Sequence, residues 1–349
     1  MKKLFLIIFL IVLSFTGLTS STGNCIQTRK IYNIVEIHSN SYDHICTSPQ
    51  KYGFEQELRE FSFNQNIFFN VTSFYINAKT INVKPEQIKL VANIIISEIN
   101  KIKPDFIVTT DDVAFEYVGI PLSKTTKVIF SGLNRPYKEY QALYPVNIKN
   151  VSGVEERYDL DKIFLLIKKA RFSINKIYLL VEGGDFTLRS ETDYYMEQNY
   201  LDEIGKKYPV EIISVDGINH LRTVLMNLNK QPRGIIIPVL QRLMEEDRPG
   251  TYVDKKTIVS EIVKLNKLHL ELCGNFSFSK LHISVCVSPS FEEMGRTQAN
   301  IIEQSILTNT FNQNIIVLPN YIWVNQKRLK ELHLEGILTI NFQEIDKVN

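Results

Sequence analysis

Cysteine and tryptophan are scarce in this sequence of 349 residues, and neither sign of charge dominates it. With only 4 cysteines, the chain is not a disulfide-framework protein. Lysine plus arginine is 40 and aspartate plus glutamate is 38, which excludes a strongly basic nucleic-acid-binding protein. Any ligand must therefore be recognised locally. The hydrophobic fraction of 44% is that of a globular protein, and the length favours two domains.

Several catalytic motifs are also missing. The sequence contains no G-x-x-x-x-G-K-[ST] phosphate loop, no G-x-G-x-x-G after a strand, no G-x-S-x-G nucleophile elbow and no H-E-x-x-H zinc motif. The spacing of His38, His44 and Cys46 fits no standard zinc site. Asp111 and Asp112 form a candidate catalytic pair, but adjacent residues that leave a strand point apart, which favours a helix cap plus a ligand contact. We therefore predict a binding protein without a catalytic residue, metal or cofactor.

A secretory signal peptide is predicted at residues 1–21. Two lysines precede an unbroken apolar run from Leu4 to Leu13, and small residues follow at 19–21. The run is short for a membrane span, so an uncleaved anchor is the second interpretation. Cys25 raises a lipoprotein interpretation, although Asn24 stands where a lipobox has a small residue. We expect an exported protein, periplasmic or at the cell surface.

The sequence leaves the pairing of the cysteines open. An oxidising compartment permits disulfides, and four cysteines allow three pairings. Cys273 and Cys286 flank a loop rich in serine and phenylalanine and are candidates for a bridge. Buried free thiols are an equally good interpretation.

Short apolar strands alternate with helical patterns along the chain. Strands are predicted at 32–37, 68–75, 106–108, 128–130, 177–181, 210–215 and 234–238. The clearest helix starts at Pro85, where isoleucines recur at helical spacing, and another helix is predicted to carry Ile258 and Leu272. Repeated strand–helix units predict α/β architecture with two doubly wound parallel-sheet lobes, joined by short crossings that act as a hinge.

Polar residues follow the predicted strands. In open parallel sheets, ligands bind outside the carboxyl ends of the strands, so we expect the ligand there. The candidate ligand-binding residues are Ser39, Asn40, Tyr42, Thr110, Asp111, Ser131, Asn134, Glu182, Gly183, Asp185 and, near a hinge crossing, Ser288. The acidic members favour a ligand with an amine or several hydroxyls, and Tyr42 is the candidate stacking partner.

Several segments, taken in order, resemble one protein family. They are KPDFIVTTDDVA at 103–114, KVIFSGLN at 127–134, NVSGV at 150–154, VSPSFEEMGR at 287–296, IIVLP at 315–319 and VNQKRLKEL at 324–332. They are similar to a family of ABC-transporter substrate-binding proteins that has the type I periplasmic-binding fold and includes tryptophan- and tyrosine-type binders. The chain departs from that family at Asn134-Arg135-Pro136, where the family has Asp-Pro. Its double aspartate and tyrosine-bearing first loop are closer to relatives that serve as extracytoplasmic sensor domains.

The resemblance implies both the lobe boundaries and the function. The first lobe would comprise 26–149 plus 288–314, and the second 150–287 plus 315–349, with three crossings between them. The implied function is an extracytoplasmic solute-binding protein that closes around a small polar, amino-acid-like ligand and delivers it to the permease of an ABC importer. The alternative is a sensor component that signals to a membrane partner such as a histidine kinase. No nucleic-acid partner is implied.

Overall fold

The computed structural model of the chain describes residues 30–157, 176–183, 205–273 and 282–334, apart from the single positions 83, 145, 207, 241 and 249. The predicted signal peptide, Cys25 and Asp185 lie outside these residues. Within the described ranges, no helix combines the length and the apolar character needed to cross a membrane.

The first lobe is built on a six-stranded sheet in which all pairs are parallel. Its strands are β1 (Ile31–His38), β2 (Phe68–Tyr75), β3 (Phe106–Thr110), β4 (Lys127–Leu133), β5 (Val151–Glu155) and β13 (Ile315–Val317). They lie in the order β13-β5-β4-β3-β1-β2. This order is doubly wound, because β1 lies inside the sheet and the chain moves outward from it in both directions.

Helices cover both faces of this sheet. They are α1 (Thr47–Gln65), α2 (Pro85–Ile102), α3 (Asp112–Ala114), a π-helical turn (Phe115–Gly119), α4 (Ile120–Leu122), α5 (Tyr137–Leu143), a 3₁₀ turn (Ile148–Asn150) and α8 (Phe291–Thr308). Because strand residues alternate between faces, Ile34 and Ile129 pack in one core cluster with residues of α1 and α8, whereas Val35 and Val128 pack with residues of α2. Alternation along apolar strands therefore gives this lobe two cores.

The second lobe repeats the same plan. Its sheet contains β6 (Ile177–Glu182), β7 (Val210–Val215), β8 (Ile235–Val239), β11 (Leu270–Cys273), β12 (Val285–Pro289) and β14 (Asn320–Val324), in the order β14-β12-β11-β8-β6-β7. Only β14 runs antiparallel to its neighbour among these described strands. The described helices are α6 (Ile218–Leu228), α7 (Lys255–Leu265) and α9 (Gln326–Glu331), and β9 (Arg242–Met244) pairs with β10 (Tyr252–Asp254) in a small hairpin.

The predicted fold class, two doubly wound lobes of parallel sheet, is confirmed. Along the described elements, the chain passes between the sheets three times: between β5 and β6, between β12 and α8, and between β13 and β14. The sheets place β5 and β13 in the first lobe, whereas the boundaries implied at 150 and 315 gave both segments to the second. The reason lies in the pairing, because Val151 of β5 lies opposite Val128 of β4 before the chain crosses.

One helix prediction is wrong at its end. Leu272 belongs to strand β11, and α7 already ends at Leu265. The side-chain oxygen of Asn266 accepts hydrogen bonds from the backbone N–H groups of Leu268 and His269, at 3.2 and 3.0 Å. This local turn competes with further helix, and an apolar pattern that continues past it does not reveal the break.

Candidate ligand-binding cleft

Three strands of the first lobe end side by side. The parallel register places His38 of β1 beside Thr110 of β3, and Thr110 beside Ser131 of β4. The polar residues that follow these strands therefore meet at one edge of the sheet, which is where ligands bind in open parallel sheets. The first-lobe candidates named above, from Ser39 to Asn134, all lie at this edge.

Asn40 and Asp111 form the polar centre of this edge. The amide Nδ2 of Asn40 donates to Asp111 Oδ2 at 2.9 Å, and Asp111 Oδ1 accepts from the backbone N–H of Asp112 at 2.8 Å. Asn40 is only 2% exposed, yet its Oδ1 has no hydrogen-bond partner among the described residues. A buried acceptor without a donor is unfavourable, so this oxygen is available to a donor group from a ligand.

The backbone of Asp111 is in an unusual conformation. Its φ is 73° and its ψ is 165°, a region that residues other than glycine rarely adopt. Hydrogen bonds on both sides maintain it, because the Asp111 N–H donates to the Ser131 carbonyl at 2.8 Å while the carboxylate binds Asn40. Residues held in such regions cluster at functional sites.

Asp112, the second aspartate of the pair, has a structural role. Its carboxylate accepts from the backbone N–H and the Nδ2 of Asn134 at 3.0 and 3.1 Å, from the Arg135 N–H at 3.1 Å and from the Tyr140 hydroxyl at 2.7 Å. Burial raises the pKa of Asp112 to about 6, and the nearby charge of Asp111 adds to this effect. The two carboxylates thus bind different partners, and Asp112 fixes the loop after β4.

Several candidate hydroxyls are already used within the protein. Ser39 Oγ donates to the Thr110 carbonyl at 2.9 Å and accepts from the Ala114 N–H at 2.8 Å. Ser131 Oγ donates to the Oε1 of Gln50 in α1. Ser39, Thr110 and Ser131 are all buried, so they shape the strand ends on which Asn40 and Asp111 are presented.

An aromatic group lies at the rim of the same edge. Tyr42 is 64% exposed and contacts Tyr75 edge to face, with ring centroids 6.1 Å apart. Tyr75 in turn stacks on His38 at 4.9 Å. Tyr42 is therefore a ring held beside the polar centre with one side open to solvent.

The second lobe contributes fewer described residues. Glu182 ends β6 and is buried, beside Val215 of β7 in the register. A Cβ at Gly183 would approach Asp216 Oδ1 to 2.0 Å, so a larger residue there would have to displace the Asp216 side chain. Ser288 is buried in β12, the strand that leads directly into the second crossing, and Asp185 lies outside the described residues.

The hinge adds a residue that the sequence did not single out. The guanidinium of Arg157, just after β5, donates to the carbonyls of Leu133 at 2.8 Å and Asn134 at 2.9 Å. The carbonyl of Arg157 accepts from Asn320 Nδ2 at 2.7 Å, close to the third crossing. Arg157 therefore ties the loop after β4 to two of the segments that join the lobes. Its position three residues after the end of the NVSGV segment was the available signal.

Charged groups of both lobes surround the turn His44–Cys46. Burial lowers the pKa of His44 to about 3, and the charges of Lys79 and Lys255 lower it further, whereas Asp111 acts in the opposite direction. Burial raises the pKa of Cys46 to about 12, with Glu156 as the next cause. Lys255 begins α7 of the second lobe, so this turn of the first lobe lies where the two lobes meet.

None of the described cysteines forms a disulfide. Cys273 and Cys286 face each other on β11 and β12, and both are buried. Burial raises the pKa of Cys286 well above its usual value. Among the described residues, no group of three histidine, cysteine or acidic side chains is arranged to hold a metal ion.

Neither a family model nor a curated protein sequence matches the chain. Solved structures with a similar fold include a conserved domain protein from Vibrio cholerae, 11% identical with a TM-score of 0.64 over 91% of this chain and 99% of that one. An ABC domain in complex with L-Trp from Streptococcus pneumoniae is 16% identical, with a TM-score of 0.61 over 90% of this chain and 100% of that one. CD0873, a substrate-binding protein with adhesive properties from Clostridium difficile, is 14% identical, with a TM-score of 0.61 over 91% of this chain and 99% of that one. The chain therefore has the two-lobed fold of type I periplasmic binding proteins.

Proposed function

We propose that the protein is an extracytoplasmic solute-binding protein that closes its lobes around a small polar ligand and delivers it to the permease of an ABC importer. The observation that carries this proposal is the pairing of Asn40 and Asp111 at the strand ends of the first lobe. There, a buried amide oxygen that has no donor within the described part of the chain lies beside a carboxylate.

The chemistry of this pair favours a ligand that donates hydrogen bonds. An ammonium group satisfies both a carboxylate and an amide oxygen, and charge-assisted hydrogen bonds of this type are strong. Lys79 and Lys255 lie close enough to the neighbouring turn to affect the pKa of His44, and they suit an anionic group on the same ligand. Amino acids carry both groups, and the fold neighbour in complex with L-Trp makes them the first compounds to test.

Closure supplies the signal that a transporter recognises. A ligand that touches both lobes shifts the population toward the closed state, and the three crossings permit hinge motion between the sheets. We also propose that the chain is exported and loses residues 1–21. N-terminal sequencing of the secreted protein tests this, and a mature chain that still begins at Met1 contradicts it.

A sensor component is the second candidate function. The double aspartate and Tyr42 favour it, because these features resemble sensor-domain relatives. Neighbouring genes discriminate between the two functions, since a permease and an ATPase support import and a histidine kinase supports sensing. Both functions require the same ligand-binding cleft.

The test of the cleft is a thermal-shift screen of the chain from residue 22 onward against amino acids, nucleosides, sugars and oligopeptides. A ligand at 100 times its dissociation constant adds about 2.7 kcal/mol of apparent stability. For the ligand found, Asp111→Ala should weaken binding roughly 10- to 100-fold while the protein remains folded. Asp247→Ala, an exposed aspartate in the loop between β9 and β10, is the matched control. Unchanged binding by Asp111→Ala would place the ligand elsewhere.

A further inference from the structure

The turn between β1 and α1 makes a direct apolar contact between the lobes. Ile45 packs against a cluster of buried residues that otherwise belongs to the second lobe. The cluster consists of Val259 of α7, Cys273 of β11, Ile283, and Cys286 of β12, with Val263 and Trp323 at its border. A branched apolar side chain of the first lobe thus packs on a buried cluster of the second.

The turn presents Ile45 in a fixed position. The Cys46 N–H donates to His44 Nδ1 at 3.3 Å, and the Ser48 N–H donates to the His44 carbonyl at 3.0 Å. Gln50 Nε2 then donates to the Cys46 carbonyl at 3.3 Å. Ile45 therefore sits between anchored residues at the start of the 19-residue helix α1.

The other side of the turn contacts the hinge. Cys46 packs against the buried residues Val154 of β5 and Phe291 and Met294 of α8, which flank the first and second crossings. The turn therefore contacts the second lobe through Ile45 and the hinge region through Cys46. Rotation of one lobe against the other must slide or break the Ile45 contact, because the two sides of that contact belong to different sheets.

We propose that the packed arrangement of the lobes in this structure is the closed one, and that Ile45 acts as an apolar interlobe latch that holds it in the absence of ligand. The contact itself does not depend on the proposed function. Only the role of the latch rests on that function, since closure of the lobes is the signal of a binding protein. A latch raises the closed fraction of the free protein and so brings the apparent dissociation constant closer to the intrinsic one. The neutral imidazole of His44 suits this position, because Lys79 and Lys255 already bring positive charge to the turn.

The test measures the ligand-free chain from residue 22 onward by small-angle scattering. Ile45→Ser should increase the radius of gyration, because replacing the isoleucine with serine removes the apolar contact between the lobes. Ile94→Ser is the matched control, since Ile94 is an exposed isoleucine on α2, and its radius should equal that of the wild type. An unchanged radius in a folded Ile45→Ser variant overturns the latch.

A crosslinking arm covers the case in which Ile45→Ser fails to fold. Ile45→Cys, in a Cys46→Ser background, brings a thiol to the cluster that contains Cys273 and Cys286. Mild oxidation of the ligand-free protein should then yield a disulfide peptide that joins residue 45 to residue 273 or 286, whereas Ile94→Cys should yield none. No such peptide from Ile45→Cys contradicts the inference. Both arms omit ligand, so a protein that binds no solute can still possess the latch, and a solute-binding protein can lack it.

Discussion

Gly295 of α8 lies so close to Gln50 of α1 that a Cβ at this glycine would come within 1.9 Å of the Gln50 carbonyl oxygen. The contact between α1 and α8 is equally close from the other helix, because a Cβ at Gly53 would lie 2.0 Å from the Glu292 carbonyl oxygen. Two glycines therefore let the helix backbones touch. The side chain of Gln50 in turn accepts a hydrogen bond from Ser131 near the end of β4. The contact between α1 and α8 therefore links α8, the helix that follows the second crossing, to the candidate site.

The first prediction concerns this contact between α1 and α8. Gly295→Ala should destabilise the protein by about 1–3 kcal/mol, because the new methyl group meets backbone that cannot move aside. The better helix propensity of alanine, about 1 kcal/mol, offsets part of this effect. Urea unfolding measures it, with Gly205→Ala as the control, since no described residue lies within 4 Å of a Cβ there. Equal stabilities for the two variants would show that the helices can separate freely.

The second prediction separates backbone strain from ligand binding at Asp111. Both Asp111→Gly and Asp111→Ala remove the carboxylate, so both should lose affinity for the ligand. Glycine, however, adopts a φ of 73° without steric cost, whereas alanine does not. Asp111→Gly should therefore unfold at higher urea than Asp111→Ala, by about 1 kcal/mol in free energy. The reverse order would mean that the backbone at this position is not strained.

The third prediction concerns a buried ion pair in the second lobe. Glu271 is 0% exposed and accepts hydrogen bonds from Arg328 of α9, from Asn266 Nδ2 at 2.7 Å and from the Ser284 N–H at 3.1 Å. Arg328→Met leaves this carboxylate buried without its counter-charge and should lower the free energy of unfolding by about 3–5 kcal/mol.

The control for this pair is Arg222→Met. Arg222 binds Glu261 at 2.8 Å, but its side chain is partly exposed, so its loss should change stability by about 0–1 kcal/mol. Similar losses for the two variants would mean that Arg328 contributes no more than a surface pair.

Much of the fold was predictable because its strands are short, apolar and followed by turn residues. The isoleucines after Pro85 identify α2, and the polar residues after Ile37 and Val108 mark strand ends that do meet. The rest depends on contacts between residues that are distant in the chain. Nothing in the local pattern places Ile45 beside α7 and β11, or Lys255 near the turn, because those contacts arise only when the lobes are packed together.

The last prediction is a pH dependence at Glu303 of α8. Glu303 is 8% exposed, and its Oε1 has no hydrogen-bond partner among the described residues. Burial raises its pKa to about 7, and the charges of Glu57 and Glu60 on α1 add to the shift, while Arg296 on its own helix pairs with Glu57. Between pH 4.5 and 7 the folded protein therefore keeps a proton that the unfolded chain has released. The stability that this proton provides is fully present below pH 4.5 and is lost as the pH rises through 7.

Glu303→Gln cannot ionise, so its stability relative to the wild type should increase with pH. The difference in free energy of unfolding should rise by roughly 1–2 kcal/mol between pH 5 and pH 8.5, measured by urea unfolding at each pH. Glu98→Gln is the control, because Glu98 is exposed and pairs with Lys101 on the surface of α2. A difference that stays constant over this range would mean that Glu303 ionises as readily in the folded protein as in the unfolded chain. The interface between α1 and α8 would then tolerate a third carboxylate charge beside Glu57 and Glu60.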